Sequence, residues 1–167
     1  MAVKPILQLG NPLLYQVSKP VLESQIQSLE PVIQDLHDTM MDFRQTYGVG
    51  RAIAAPQIGV FKRLIYMHID KPVVFINPEF TALSEDMMEI WDDCMSFPDL
   101  MVKVLRHEQI SISFLNLFGE SKNLTLVGDL SELLQHEMDH LDGILATMRA
   151  VDDHSFALKS EMVKEHS

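Results

Sequence analysis

Cysteine is almost absent from this sequence. Cys94 is the only cysteine among 167 residues, so no intramolecular disulfide can form. A lone thiol of this kind is buried, reactive or metal-bound, and a chain without disulfides suits the reducing cytosol. The cysteine count therefore predicts a cytoplasmic protein.

Positive charge is also scarce. The chain has 13 lysines and arginines against 24 aspartates and glutamates, which gives a formal net charge of -11. Proteins that bind the phosphate backbone of a nucleic acid need clustered cations to displace its counterions. We therefore expect no direct nucleic-acid binding, and the few dispersed cations identify no docking surface for a ribosome.

Long apolar runs are missing too. No run approaches the roughly 20 residues that a membrane-spanning helix needs. Gly10, Asn11 and Pro12 interrupt the region where a secretion signal would lie. A chain of this length closes one hydrophobic core, so residues 1–167 are expected to form a single domain without a membrane partner.

Helical periodicity predicts a first helix from about Leu29 to Tyr47. Ser28 would cap this helix, and Gly48 and Gly50 would end it. Four short runs rich in β-forming residues follow, and their close spacing favours antiparallel pairing. These runs are Arg63–Ile69, Val73–Ile76, Ile110–Leu117 and Asn123–Val127.

A second helix is predicted to begin at Asp129, because Asp129 and Glu132 have the spacing of a capping box. It should end near Gly143, since glycine favours the conformation that follows a helix. The last segment, Asp152–His166, is expected to form a short terminal helix or a frayed tail.

The string QHEMDH at residues 135–140 lies inside the second predicted helix. His136 and His140 are four residues apart, so the helical repeat places both imidazoles on one face, one turn apart. A metal ion held there would lower the pKa of a bound water, and Glu137 could take its proton and deliver it to a leaving amine. The string therefore predicts a metal-dependent hydrolase that cleaves a small amide.

A catalytic site of this kind needs a third protein ligand. A third histidine at the spacing HExxHxxGxxH is excluded, because Ala146 stands at that position. Two candidates remain: Glu161, which would make the chain an HExxH metallopeptidase, and Cys94, whose thiolate suits a borderline-soft metal. The residues alone leave both open.

Three segments resemble the motifs of the peptide deformylases. Residues 50–57, GRAIAAPQ, are similar to the pattern GφGφAAxQ, in which φ is apolar, and residues 92–96, DDCMS, are similar to EGCLS. Residues 135–143 match QHExDHLxG completely. The resemblance implies an α+β fold with antiparallel β-sheets around a central HExxH helix, an N-terminal helix and a short C-terminal helix.

The resemblance also implies the roles of the site residues. It promotes Cys94 above Glu161, and the implied metal ligands are Cys94, His136 and His140. The ion would be one divalent metal, Fe²⁺ natively in the family, with Zn²⁺, Ni²⁺ or Co²⁺ as further candidates. Beside Glu137, the side-chain amide of Gln57 and the backbone N–H of Met95 would stabilise the negative charge that develops on the formyl oxygen.

The implied reaction is removal of an N-formyl group. An N-formylmethionyl peptide is the first substrate to expect, a small formylated amine is the alternative, and contact with the ribosome belongs to the same set of expectations. A non-catalytic relative that only binds a partner is a rival reading. The intact Glu137 argues against it, because a protein without catalysis has no need for a carboxylate at that position.

Departures from the family pattern lie around the expected substrate channel. The residues expected to bind substrate are Gly50, Arg51, Ala52, Asp93 and Glu132, and all except Gly50 depart from the pattern. Arg51, Ala52 and Asp93 replace an apolar residue and two glycines, although Gly48-Val49-Gly50 could be the first motif in another register. Glu132 aligns near an apolar position that borders the methionine pocket, where it could favour a cationic group or pair with Arg51. The simpler reading is a helix cap that faces water.

Two further expectations concern charged residues and histidines. Asp92 and Arg106 take the places of a family ion pair that orients the metal ligands, and the shorter aspartate suggests a longer or water-bridged pair. The remaining histidines have no partner at metal-ligand spacing and are expected to be surface or packed residues: His37, His68, His107, His154 and His166.

Overall fold

The computed structural model describes residues 2–165. It contains three α-helices: α1 (Glu30–Tyr47), α2 (Asp129–Leu141) and α3 (Lys159–Glu165). Its eight strands are β1 (Ala52–Ala54), β2 (Leu64–His68), β3 (Pro72–Leu83), β4 (Met87–Asp92), β5 (Leu100–His107), β6 (Gln109–Leu115), β7 (Ser121–Val127) and β8 (Phe156–Leu158).

The strands form two antiparallel sheets, and α2 packs between them. The larger sheet has the order β1-β2-β3-β6-β7, and the smaller one has the order β4-β5-β8. Helix α2 contacts β1, β2 and β7 of the larger sheet and β5 of the smaller sheet. The expected α+β fold, with antiparallel sheets around the central HExxH helix, is therefore confirmed.

Helix α1 covers the larger sheet with one apolar face. Leu36, Met40 and Phe43 are buried against β1, β2 and β3, as the helical spacing predicted. Gly48 ends the helix in the left-handed region, with φ 76°, and its N–H donates to the carbonyl of Arg44. Glycine reaches this conformation without strain, which explains the predicted end point.

The predicted cap of α1 is wrong. A 3₁₀ helix over Glu23–Leu29 runs directly into α1, and Ser28 lies within it. The Ser28 hydroxyl donates to the carbonyl of Gln25 at 2.6 Å, so it is not available to a free N–H at the start of α1. The chain becomes helical before the point at which the sequence pattern placed the cap.

The four predicted strands are present as β2, β3, β6 and β7, but β3 is longer than the predicted Val73–Ile76. Asn77 adopts φ 50° and its side chain bonds the backbone of Val21 at 2.8 Å, while Pro78 follows within a register shift of the strand. Asn-Pro is normally a turn signal. Here contacts with the distant Val21 segment hold the asparagine, so the strand bends and continues.

Helix α2 begins at Asp129 as predicted, but its capping box is absent. Gly128 is the cap residue and no side chain bonds the first N–H groups. Instead, Asp129 Oδ2 and Glu132 Oε2 lie 3.1 Å and 3.7 Å from the guanidinium of Arg51. The two acidic side chains are drawn to a cation from another segment, so they do not fold back on their own helix.

The C-terminal helix α3 is short, as expected, and starts at Lys159 because residues 156–158 form β8 against β5. His166, the last residue of the predicted helix, lies outside the described residues. Across residues 2–165, none of the helices combines the length and apolar character needed to cross a bilayer.

Candidate metal centre

The structure brings Cys94, His136 and His140 together. One ligand atom from each lies within 4.8 Å of the others, and all three side chains are buried. The Cys94 Sγ is 3.3 Å from His140 Nε2. Helix α2 carries both histidines, and Cys94 lies two residues beyond the end of β4. Glu161, the rival third ligand, lies on α3 and is not in this group.

A buried chain of ion pairs orients His136. Its Nδ1 is 2.8 Å from Asp92 Oδ2, which leaves Nε2 for a metal ion. Arg106 donates to the same Asp92 oxygen at 3.0 Å and to Asp139 Oδ2 at 2.7 Å. Arg149 also donates to Asp139, at 2.9 Å. The Asp92–Arg106 pair is therefore direct, and the shorter aspartate needs no bridging water.

Burial and neighbouring charges set the ionisation of these groups. Burial opposes ionisation of Asp92, but His136 and Arg106 outweigh it and hold the Asp92 pKa below its usual range. Burial also opposes protonation of His136, yet Asp92 and Cys94 raise its pKa well above the ordinary value. Burial and His136 lower the His140 pKa well below it. A neutral imidazole is the form that binds metal, so His140 is already in that form and His136 would release its Nε2 proton when an ion binds.

Glu137 stands beside the ligands with an unused oxygen. Its Oε1 is 3.9 Å from His136 Nε2, while its buried Oε2 has no hydrogen-bond partner among the described residues. Burial raises the pKa of Glu137 to about 7, which is the range that a group exchanging protons near neutrality needs. Buried polar atoms are normally paired, so this carboxylate and the three converging ligands fit a site built around an ion and its water.

Gln57 presents its amide to the same point. Its Oε1 accepts a hydrogen bond from the Ala54 N–H at 3.0 Å, which fixes the orientation of the amide. Its Nε2 lies 3.2 Å from Ser96 Oγ and 3.6 Å from Cys94 Sγ. Ser96 is a positioning contact that the sequence patterns did not single out. The donor thus faces the ligand set from a fully buried side chain.

A cavity of about 290 Å³ opens onto this centre. The cavity is lined by all five residues predicted to contact substrate: Gly50, Arg51, Ala52, Asp93 and Glu132. Met95 also lines it. Sequence reasoning did not assign Phe43 and Val49 to the wall, since both come from the region of α1 and reach the cavity through tertiary packing.

The charged residues of the cavity wall that depart from the family pattern lie close to side chains of opposite charge. The Glu132 side chain is only 12% exposed and lies 3.7 Å from Arg51 Nη2, so the reading of Glu132 as a solvent-facing cap is wrong. Burial, together with Asp92, raises the pKa of Glu132 to about 8. Asp93 Oδ2 lies 2.9 Å from Lys159 Nζ on α3.

Comparison with protein families gives one answer over most of the chain. The model of the polypeptide deformylase family matches residues 3–155. The chain belongs to the peptide deformylase family. Peptide deformylase 1 of Prochlorococcus marinus is 36% identical over 97% of this chain and 88% of its own length. The peptide deformylase of Carboxydothermus hydrogenoformans is 36% identical over 90% of this chain and 95% of its own length.

Solved deformylase structures have the same fold. The enzyme from Legionella pneumophila superposes with a TM-score of 0.81 at 36% identity, covering 89% of this chain and 86% of that one. The Synechococcus elongatus deformylase, solved in complex with actinonin, gives 0.82 at 32% identity, covering 91% and 82%. The family resemblance predicted from three motifs is thereby confirmed, and with it a metal-dependent hydrolase that acts on N-formyl groups.

Proposed function

We propose that this deformylase removes the N-formyl group from N-formylmethionyl peptides, with Cys94, His136 and His140 as the metal ligands. The observation that carries the proposal is Glu137, whose buried and unpaired oxygen stands beside the converging ligands. A buried carboxylate without a partner destabilises a fold. Its position is therefore best explained by a catalytic need.

The residues divide the chemistry among themselves. A bound divalent ion would supply Lewis acidity and lower the pKa of water. Glu137 would accept the proton of the attacking water and return it to the leaving amine. The Gln57 Nε2 and the Met95 N–H would donate to the oxygen of the formyl group as negative charge develops on it. Asp92, held by Arg106, would keep His136 in its ligand orientation.

Formate release tests the activity. Protein loaded with Fe²⁺ or Zn²⁺ should release formate from formyl-Met-Ala, and Glu137→Gln should lower kcat at least about 100-fold, because proton transfer contributes that much or more. Glu108→Gln removes a carboxylate that is not part of the site and serves as the matched control. Metal-loaded protein that releases no formate would overturn the proposal and favour a non-catalytic binding role.

The metal itself is proposed to be Fe²⁺, with Zn²⁺, Ni²⁺ and Co²⁺ as alternatives, because a thiolate and two imidazoles suit all four. Elemental analysis of anaerobically purified protein identifies it. Cys94→Ala should lose the ion, whereas Glu161→Ala should keep it. The reverse result would favour the HExxH metallopeptidase reading.

We further propose that substrate selection is altered in this chain. The guanidinium of Arg51 and the largely buried carboxyl group of Glu132 lie 3.7 Å apart in the cavity wall, and such polar groups favour polar or cationic side chains over a thioether. Glu132→Leu should raise kcat/KM for formyl-Met-Ala relative to formyl-Lys-Ala by about tenfold, the effect of roughly 1.4 kcal/mol. Asp129→Asn, which changes the exposed partner of Arg51, is the control. An unchanged ratio would refute altered selection.

We also propose that the protein is cytoplasmic and that it contacts the ribosome, because formylated chains emerge during translation. Cosedimentation of the purified protein with ribosomes, in low and in high salt, tests the contact. A small formylated amine becomes the preferred substrate if formate is released from such an amine faster than from formyl-Met-Ala.

A further inference from the structure

A second cavity lies outside the metal centre and shares no lining residue with it. It has a volume of about 600 Å³ and lies between α1 and strands β2, β3, β6 and β7 of the larger sheet. We call it the second cleft. Its apolar wall is formed mainly by Ile33, Val73, Val74, Phe114, Leu117 and Phe118. A cavity of this volume with a mainly apolar lining is typical of a site for a small organic molecule.

The second cleft also contains a histidine-tyrosine cluster. The hydroxyl of the buried Tyr66 lies 2.7 Å from His37 Nδ1 and 3.1 Å from His68 Nδ1. A hydroxyl has one proton, so Tyr66 donates to one ring and accepts from the other. The ring that accepts the Tyr66 hydrogen bond at Nδ1 carries its own proton on Nε2. Since neither Nε2 has a hydrogen bond to the described part of the chain, at least one N–H donor remains for a ligand.

Charge distinguishes this cleft from the rest of the molecule. The chain has a net charge of -11, yet the described residues that line the second cleft include no carboxylate. Asp38 and Glu120 lie behind this lining, where they accept hydrogen bonds from Gln34 and Asn116. Among the described lining residues, Lys122 is the one with a permanent charge, and the two histidines can only add positive charge. An anion would therefore meet attraction here and repulsion over most of the remaining surface.

An exposed aromatic residue stands at the edge of the cleft. Phe118 is 85% exposed, and the turn that holds it is ordered by Asn116, whose Oδ1 accepts from the N–H groups of Phe118 and Glu120 at 2.9 Å and 3.0 Å. An apolar ligand body packed against this ring would remove it from water, which is favourable in proportion to the area buried.

We propose that the second cleft binds a small organic anion with an apolar body, of the class of a medium-chain monocarboxylate. Lys122 and an imidazole N–H supply the partners for its charge, and Phe114, Phe118 and their apolar neighbours contact its body. The inference is independent of the deformylase activity, because the cleft and the metal centre have separate linings.

Amide NMR spectra of the metal-loaded protein test the proposal with three probes of eight carbons each: octanoate, octylammonium and octanol. Octanoate should cause saturable shifts at His68, Phe118 and Lys122, and it should bind more tightly than the other two. Lys122→Glu should weaken octanoate binding about fivefold, the upper end for an ion pair at a partly exposed site, because the change removes an attraction and adds a repulsion. Lys19→Glu, the same charge change at an exposed residue outside the cleft, should leave it unchanged.

Three results would overturn the inference. One is the absence of saturable shifts at the cleft residues, and the second is octanoate binding that maps only to the cavity around Cys94. The third is equal affinity for octanoate and octylammonium, which would show that the cleft selects by its apolar wall and not by charge. Phe118→Ala, a surface change, should weaken all three probes and confirms their location.

Discussion

Asp92 connects the metal ligands to the protein interior. It contacts His136 Nδ1 and Arg106 through one oxygen, so it both sets the tautomer of the ligand and balances a buried cation. The carboxylate of Asp93, its neighbour in the chain, accepts a hydrogen bond from the Lys159 side chain at the cavity rim. Two adjacent carboxylates therefore have different roles, and substituting each one alone tests that difference.

We expect Asp92→Asn to weaken metal binding about 10- to 100-fold, the usual effect of losing a group that orients a ligand. Competitive titration of Zn²⁺ against a chromophoric chelator measures it. Asp93→Asn should change the affinity little. Asp92→Glu, which restores a carboxylate at this position, should keep most of the affinity, and equal losses in Asp92→Asn and Asp93→Asn would contradict the assigned role.

At the scale of the element, α2 must end at a defined point. Gly143 has φ 71°, and a Cβ at this position would collide with the backbone carbonyl of Tyr15. The N-terminal segment is held there by a hydrogen bond from the Ser18 N–H to the carbonyl of Leu141 at 2.8 Å. Two causes thus require glycine: the left-handed backbone and the close approach of another segment.

Gly143→Ala should destabilise the fold by more than about 1 kcal/mol, the strain expected for alanine at an incompatible backbone conformation. Gly59→Ala is the matched control, since Gly59 also has a positive φ, 82°, but no atom within 4 Å of a Cβ. Urea unfolding of both variants separates strain from collision. Equal losses would show that the Tyr15 contact adds nothing.

Element prediction succeeded where the pattern is local and failed where distant contacts decide. Apolar spacing is enough to identify α1 and α2, because a helix satisfies its own backbone hydrogen bonds. Strands β1, β4, β5 and β8 were not predicted. Strands β1 and β8 have three residues each, and β4 mixes methionines with acidic residues. Their hydrogen bonds come from partner strands, which no short window of sequence specifies.

At the scale of the whole molecule, the metal centre joins parts that lie far apart in the chain. Cys94 follows the smaller sheet, whereas His136 and His140 lie on the helix that also packs on the larger sheet. A bound ion would therefore link both sheets. If residues 1–167 form one domain, as expected, the two sheets should unfold together.

We expect one cooperative unfolding transition in urea. Trp91 is the only tryptophan and lies on β4 of the smaller sheet, so its fluorescence reports that sheet, while far-UV circular dichroism reports all elements. The two curves should coincide. Removal of the metal by a chelator should move both midpoints down together, because it lowers the free energy of unfolding by about 4 kcal/mol if the ion is present at 1,000 times its Kd. Separate transitions would refute the single domain.

The sequence by itself determined the helix with His136, Glu137 and His140, the hydrolytic chemistry and, through three motifs, the deformylase family. Those features depend on spacing within one helix and on short strings. Only the tertiary structure decided that Glu132 pairs with Arg51, that Asp92 bonds Arg106 directly, and that His37 and His68 meet at Tyr66 and are not isolated. The contacts that join these groups are between residues 14, 29 and 81 positions apart, and packing between separate elements carries no periodic signal in the sequence.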